Sequence, residues 1–195
     1  MEARLFALGS VPECTTAVWY QSREAAPHLE QPDHRERLLT AALLVERLAD
    51  EEAVATVVDL GAGDGGLLSV LALDSRLECW GYDLCPANVE AAAHRDVSVE
   101  LLDVVAAEPR WADVAITTEM LEHLVDPHGF LRRVRKHCRF LVASSPWDEN
   151  EAQHYEFHTW AWDPSGYLEL VQGAGWTVMS IEPVNRFQVV LARCA

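Results

Sequence analysis

The stretch VVDLGAGDGG, residues 57–66, decides the fold of this chain. An apolar run that ends in an acid is followed by glycines and then by the apolar run LLSVL. This pattern predicts a buried parallel strand, a tight turn and the start of a helix. Gly61 and Gly63 let the backbone turn sharply and approach a ligand without a Cβ in the way. In doubly wound α/β folds the crevice beyond such a strand binds nucleotides, so we expect a ligand here.

Two classes of ligand compete for this turn. Its glycines fit the spacing G-x-G-x-x-G, a weak dinucleotide signal by itself, and Asp83 follows about 20 residues later to hold a ribose. Asp59 and Asp64 argue against a pyrophosphate, which requires bare N–H groups at a helix N-terminus. A ligand with cationic groups suits the site better, and S-adenosylmethionine carries an ammonium and a sulfonium.

Length and composition limit the class of protein. A chain of 195 residues, 50% hydrophobic and 24% charged, is expected to form one domain with its own core. No apolar run approaches the roughly 18 residues of a membrane span, and the first residues lack the pattern of a signal peptide. Five scattered cysteines without a C-x-x-C pair favour reduced thiols over a disulfide framework or a zinc site. We therefore expect a cytoplasmic protein without a membrane partner.

The formal net charge of −16 bears on the partners of the chain. A field of that sign repels phosphate backbones, so nucleic acid is not the expected partner; solubility alone is the alternative explanation. A local basic stripe has helical spacing and is predicted to be a solvated face. It consists of Arg132, Arg133, Arg135, Lys136 and Arg139.

Hydrophobic periodicity predicts alternating strands and helices after an irregular segment, residues 1–32. A capping box at Asp33 predicts a helix to about Ala49. The predicted strands are 55–60, 77–82, 97–102, 112–118, 140–145, 176–181 and 187–191, and the predicted helices are 65–74, 86–94, one after Pro127, and 164–174. The last two strands are joined by a turn too short for a parallel pair. Residues 33–195 are thus expected to form an α/β sheet with helices on both faces.

Three short segments carry a family resemblance. VVDLGAGDG (57–65) resembles motif I of the class I S-adenosylmethionine-dependent methyltransferases, GYDL (81–84) resembles their second motif and LLDV (101–104) their third. The resemblance implies a Rossmann-like, doubly wound sheet of seven strands in which only the last is antiparallel. It also implies that residues 1–32 cover the active site, with packing on the outside of the sheet as the alternative.

The same resemblance assigns the cofactor-binding residues. Asp59 would receive the ammonium of S-adenosylmethionine, Asp83 would accept the ribose hydroxyls, and Asp103 would contact the adenine between apolar walls. Each acid has a structural alternative: Asp59 as a helix cap, Asp83 as a turn residue before Pro86, and Asp103 as a turn former. The full predicted set is Asp59, Gly61, Ala62, Gly63, Asp83, Leu84, Asp103, Val104 and Glu119.

The segment TEMLEHLVDP, residues 118–127, follows the fourth predicted strand, where methyltransferases face the reacting methyl group. Glu119, Glu122 and His123 share one face if the turn is helical. Two carboxylates so close repel each other unless a proton or a cation lies between them. Oxygen and imidazole ligands suit Mg²⁺, Mn²⁺, Fe²⁺ or Zn²⁺.

EMLEHL resembles the ubiquinone-pathway O-methyltransferases and the small-RNA 3′-end ribose 2′-O-methyltransferases. In the RNA family another histidine follows strand five, and His158 stands in that place here, with His154 as its rival. The predicted metal ligands, for Mg²⁺ or Mn²⁺, are Glu119, Glu122, His123 and His158, and the predicted catalytic residues are Glu119, His123 and His158. Many metal-free methyltransferases carry a Glu-His pair here that only supports the loop; one of the three histidines would then act as general base.

The loop over residues 146–163 indicates the kind of acceptor. It holds five aromatic side chains among acids and histidines, a lining that fits a small-molecule pocket. Stacking of RNA bases would require basic residues between the aromatic ones. We therefore expect methyl transfer to a small organic acceptor, at a hydroxyl oxygen. RNA 3′-terminal ribose methylation and a non-catalytic binding module are the alternatives.

Overall fold

The computed structural model describes residues 5–7, 17–147, 149, 155 and 157–194, with side chains from residue 17 onward. In these ranges the strands are β1 (Leu5–Ala7), β2 (Thr56–Leu60), β3 (Glu78–Asp83), β4 (Val99–Leu101), β5 (Val114–Thr118), β6 (Phe140–Pro146), β7 (Trp160–Trp162), β8 (Trp176–Val184) and β9 (Phe187–Cys194). The α-helices are α1 (Ala17–Gln21), α2 (Pro32–Glu52), α3 (Gly66–Leu71), α4 (Pro86–Ala93), α5 (Pro127–Arg135) and α6 (Pro164–Gly173). Two short 3-10 helices span His28–Glu30 and Leu121–His123. No helix among these residues is both long and apolar enough to cross a bilayer.

The main sheet has seven strands in the order β4-β3-β2-β5-β6-β9-β8. All neighbours pair in parallel except β9, which is antiparallel to both β6 and β8. The predicted Rossmann-like doubly wound sheet with an antiparallel last strand is therefore confirmed. The chain passes from β2 through β3 to β4 on one side and resumes with β5 on the other. The switch point of the topology, where such folds bind ligands, thus lies between β2 and β5.

Strand β2 is buried because helices cover both faces of the sheet. Val57 packs into the core under α2 and α3, and its neighbour Val58 packs into the opposite core against α5 and α6. A strand buried on both faces reads as a continuous apolar run, which is why residues 57–60 were recognisable in the sequence. The rigid strand holds its carboxyl end, and with it the acid at position 59, at a defined place.

The start of α2 differs from the prediction. The helix begins at Pro32 after Gln31, whose side chain makes no capping hydrogen bond, so the predicted capping box at Asp33 is wrong. Proline suits the first helical position because the N–H that it lacks would have no partner there. The helix also continues to Glu52, beyond the expected end at Ala49.

The segment before α2 is more regular than predicted. β1 pairs antiparallel with β7, which the sequence did not predict, and α1 follows. Trp19 lies 5.0 Å from Phe157 and Tyr20 lies 5.7 Å from His123, measured between ring centroids. These aromatic contacts connect the segment to the loop after β6 and to the 3-10 helix after β5, and they depend on residues far apart in the chain.

Candidate active site

A cavity of about 1080 Å³ lies at the carboxyl ends of β2, β3 and β5. Every residue that the sequence assigned to cofactor, metal or catalysis lines it, except His154, which lies outside the described residues. The structure thus brings the predicted cofactor residues and the predicted catalytic residues into one cavity. Their relative roles follow from their individual contacts.

The glycine turn after β2 is shaped to leave space. Gly61 and Gly63 have φ values of +88° and +56°, which disfavour any side chain. The N–H groups of Gly61 and Ala62 both donate to the carbonyl of Tyr82, at 2.9 Å, which ties the turn to β3. A Cβ on Gly63 would meet no atom within 4 Å and would project into open space. The turn therefore forms a cradle that a side chain would fill.

Asp83 ends β3 and supports this turn. Its Oδ2 accepts the Gly63 N–H at 2.8 Å, and its Oδ1 accepts the Cys85 N–H at 2.8 Å and the Asn88 amide at 3.1 Å. A carboxylate has about four acceptor positions, so room remains for about one further donor. Asp83 can thus accept a hydrogen bond from one ribose hydroxyl more readily than from both.

Asp59 is the most unusual acid of the turn. It is 1% exposed, and its Oδ1 has no hydrogen-bond partner among the described residues. Burial, and next the charge of Asp83, raise the pKa of Asp59 to about 7, against the opposing effect of Arg37. An orphaned buried carboxyl at the edge of a cavity is suited to receive a cationic group.

Two further acids have structural partners. Asp64 accepts from Arg95 at 2.6 Å, so its charge is compensated and the argument against a pyrophosphate rests on Asp59. The Oδ1 of Asp103 accepts the N–H groups of Val105 and Ala106, at 2.9 and 3.2 Å. Asp103 thus takes the turn-forming role, and its adenine contact stays a prediction.

Glu119 does not join the helical turn that the sequence predicted. Its φ is +54°, and the 3-10 helix begins only at Leu121, so the expectation that Glu119, Glu122 and His123 share one face is wrong for Glu119. Its Oε1 instead accepts from the Ser144 hydroxyl at 2.9 Å and lies 3.7 Å from the Arg37 guanidinium. Arg37 is 1% exposed, which makes this a buried ion pair.

Glu122, His123 and His158 form a compact cluster. One ligand atom from each lies within 4.8 Å of the others. Glu122 is 1% exposed, and neither carboxyl oxygen has a hydrogen-bond partner in the described part of the chain. The sequence placed Glu119 in this set, but it stands outside the group.

The two imidazoles are oriented by their Nδ1 atoms. The Nδ1 of His123 lies 3.1 Å from the Phe157 carbonyl, and the Nδ1 of His158 lies 2.7 Å from a carboxylate oxygen of Glu149. Because these oxygens only accept, both Nδ1 atoms carry protons, and in the neutral form of either ring the Nε2 is then the acceptor. Such outer partners commonly orient metal-ligating histidines.

The electrostatics of this cluster favour a cation. Burial, and next the charge of Glu119, raise the pKa of Glu122 well above its usual range. Burial, and next His158, lower the pKa of His123 to about 3. Glu122 therefore favours its protonated form beside the neutral imidazole of His123, and a divalent ion would replace the acid's proton. The residues fit a metal ion in charge and in donor type, and the carboxyl oxygens of Glu122 have no hydrogen-bond partner among the described residues.

Sequence reasoning missed three residues that line the cavity or support its wall. Glu149 orients His158, Arg37 holds Glu119, and Tyr20 packs against His123. None of them belongs to a motif; the acid-rich loop around Glu149 and the predicted cover segment that holds Tyr20 gave the only signals. Their roles depend on contacts between elements that the chain order does not reveal.

The fold and the motifs that line the cavity are characteristic of the class I methyltransferases, which use S-adenosylmethionine. The comparison with protein families agrees, because residues 33–181 match the family described as a methyltransferase domain. The chain belongs to this family.

Individual relatives are more distant. The chain is 31% identical over 130 residues to a ubiquinone biosynthesis O-methyltransferase of Nitrosomonas europaea. The matched region covers 61% of this chain and 49% of that protein. The chain thus spans about half the length of this curated relative.

Solved structures share the fold. The N-methyltransferase NodS from Bradyrhizobium japonicum WM9, in complex with S-adenosyl-L-homocysteine, matches with a TM-score of 0.69 at 15% identity, over 91% of this chain and 96% of NodS. The cyclase SpnF matches with a TM-score of 0.68 at 14% identity, over 89% of this chain and 85% of SpnF. Because one fold hosts such different reactions, the acceptor must be argued from the site.

Proposed function

We propose that this protein transfers a methyl group from S-adenosylmethionine to a hydroxyl oxygen of a small organic acceptor, assisted by a divalent cation at Glu122, His123 and His158. One observation carries the proposal: the cation-seeking acid Asp59 and the Glu-His-His cluster line the same cavity. The first suits the charged methyl donor and the second suits activation of an acceptor hydroxyl.

The methyl donor fits the glycine turn and its acids. Asp59 would pair with the ammonium, Asp83 would accept a ribose hydroxyl, and the space beside Gly63 would admit the ligand backbone. S-adenosylmethionine supplies the electrophilic methyl carbon. The chain contributes orientation, because an in-line displacement requires the acceptor oxygen at about 3 Å from that carbon.

The cavity has room for a second molecule. Its volume of about 1080 Å³ exceeds the roughly 300–1,000 Å³ of a pocket for one small ligand. Trp147, Tyr155 and Phe187 contribute aromatic surface to the lining. The similarity to an O-methyltransferase supports a hydroxyl acceptor.

The Glu-His-His cluster would hold the cation. Two imidazoles and one carboxylate suit Mn²⁺, Fe²⁺ or Zn²⁺ better than Mg²⁺, which prefers oxygen ligands throughout. A bound divalent cation lowers the pKa of a coordinated hydroxyl. In a metal-free enzyme the free Nε2 of His123 or His158 would instead accept the hydroxyl proton. The segment before α2 would act as a cover that excludes water, because Trp19 and Tyr20 pack against Phe157 and His123.

Calorimetry with S-adenosylhomocysteine tests the donor site. We expect the unmodified protein to bind it and Asp83→Ala to bind at least about tenfold more weakly, because a charged hydrogen bond and the support of the turn are lost. Glu100→Ala, an exposed acid on the neighbouring strand β4, is the matched control and should bind normally. No binding by the unmodified protein, or equal binding by Asp83→Ala, would contradict the proposal.

Elemental analysis after equilibration with Mn²⁺ tests the cation site. We expect a stoichiometric ion in the unmodified protein and loss of most of it in Glu122→Gln, because the amide keeps the size of the side chain but removes its charge. Glu149→Gln should weaken binding about 10- to 100-fold through the misoriented His158. His94→Ala, an exposed histidine, serves as control. A protein that holds no Mn²⁺, or a Glu122→Gln variant that holds as much, would end the metal proposal.

A further inference from the structure

The loop after β4 forms one wall of the cavity, and its internal hydrogen bonds converge on Asp103, whose carbonyl accepts the N–H groups of Ala106 and Ala107 at 3.2 and 2.9 Å. Leu102 donates its N–H to the Asp83 carbonyl at 3.0 Å, and the Asp103 side chain closes a turn on Val105 and Ala106. Val104 is 5% exposed and packs into the core, but Val105 at the tip is 49% exposed. The tip therefore gains little stability from apolar burial, and its position depends on polar contacts.

Arg133 supplies those contacts from another element. This half-buried side chain on α5 donates from one terminal nitrogen to the Val105 carbonyl at 2.9 Å and from the other to the Val104 carbonyl. Arg133 lines the cavity, as does Phe130, over whose ring the guanidinium lies at 5.6 Å. The planar fork thus links two consecutive carbonyls of the loop to the rigid helix.

The other basic side chains near it act elsewhere. Arg135 donates to the Gly175 carbonyl and Arg139 to the Glu52 carbonyl, so the predicted solvated stripe in part connects loops. Arg132 is exposed on the same helix. Arg132 is a matched control, because it carries the same charge as Arg133 and is its neighbour in the chain.

We infer that Arg133 is a positioning residue for the adenosine end of the methyl donor, because it holds the Val104–Val105 carbonyls and thereby the cavity wall that they form. The inference rests on the proposed function, since it requires that this cavity binds an adenosine ligand. Lysine cannot replace the fork, because its ammonium is a point charge and does not span two carbonyls in fixed geometry. Methionine keeps the apolar stem over Phe130 but has no donor.

The test compares Arg133→Met, Arg133→Lys and Arg132→Met by calorimetry with S-adenosylhomocysteine and with 5′-methylthioadenosine, which lacks the amino-acid part. We expect Arg133→Met to raise both dissociation constants about tenfold, the size of one strong charged contact. Arg133→Lys should raise them about threefold or more, and Arg132→Met should stay within about twofold. Hydrogen exchange should rise over residues 102–107 in Arg133→Met and not in Arg132→Met.

The outcomes separate this inference from the proposed function. If the unmodified protein binds neither ligand, the proposed function fails. If it binds both and Arg133→Met binds both within about twofold of it, the positioning role is refuted. Weaker binding of S-adenosylhomocysteine alone would refute it as well, because the effect would then lie at the amino-acid end. If Arg133→Met does not fold, Arg133→Lys decides, and affinity and exchange equal to the unmodified protein overturn the inference.

Discussion

At the scale of single residues, Asp59 shows how position changes the chemistry of an ordinary acid. Its side chain is buried at the end of β2, and burial together with Asp83 raises its pKa from 3.8 to about 7. The folded protein thus holds the Asp59 proton more tightly than the unfolded chain does. The stabilising contribution of this group is largest below the unfolded pKa and decreases as the pH rises towards 7.

Replacement of Asp59 by Asn should separate binding from stability. The unmodified protein should bind S-adenosylhomocysteine about tenfold more weakly for each pH unit below 7, because only the ionised carboxyl pairs with the ammonium. Asp59→Asn should bind weakly at every pH between 5.5 and 8. Calorimetry across this range checks both expectations, and a flat profile in the unmodified protein would contradict them.

The same variant should be more stable at high pH. Above pH 7 the unmodified protein carries a buried charge that Asp59→Asn lacks, so the variant's free energy of unfolding at pH 8 should exceed that of the unmodified protein by about 2 kcal/mol, with about 4 kcal/mol as the ceiling. Urea unfolding at pH 8 measures this difference. A variant less stable than the unmodified protein at pH 8 would contradict the assigned pKa shift.

At the scale of elements, the site depends on the close approach of β3 to the glycine turn. Gly81 of β3 pairs with Asp59 of β2, and a Cβ added at Gly81 would lie 2.6 Å from the Ala62 Cβ and 2.9 Å from a methyl of Leu68. Glycine is therefore required at position 81 by packing and not by φ. The sequence placed this glycine in the second motif but did not reveal its neighbour.

A pair of substitutions tests this contact. Gly81→Ala should lower the free energy of unfolding by about 1–3 kcal/mol and weaken binding of S-adenosylhomocysteine, because the added methyl pushes β3 from the turn. Ala62→Gly alone should cost about 0.5–1 kcal/mol. The double variant should recover part of both losses, because it removes the clashing Cβ. Strictly additive losses in urea unfolding would show that the two side chains do not meet.

At the scale of the whole molecule, the net charge is acidic, whereas arginine side chains pair with acids and carbonyls at the cavity. The chain carries a formal net charge of −16, yet Arg133 lines the cavity, and Arg37 and Arg95 pair with the cavity-lining acids Glu119 and Asp64. Arginine suits this role because it stays charged and donates in several directions. Bulk charge therefore describes the outer surface, whereas the site is organised by local pairs.

The sequence by itself determined the class of fold and the positions of the acids and glycines predicted to bind the cofactor. A β-strand buried on both faces, a glycine turn and acids at strand ends are local patterns, because strand period and backbone freedom depend on neighbouring residues. Asp59, Gly63 and Asp83 were predictable for that reason. The seven-strand order came from the family resemblance and is confirmed.

Only the tertiary structure decided which acids are free and which are held. It turned Glu119 towards Arg37 and Ser144, left Glu122 with His123 and His158, and joined Arg133 to a loop 28 residues away in the chain. These pairings arise where separate elements pack, and Glu119, with its φ of +54°, lies before the 3-10 helix that carries Glu122 and His123. Burial and hydrogen bonding between distant segments set these roles, and neither can be read from local sequence.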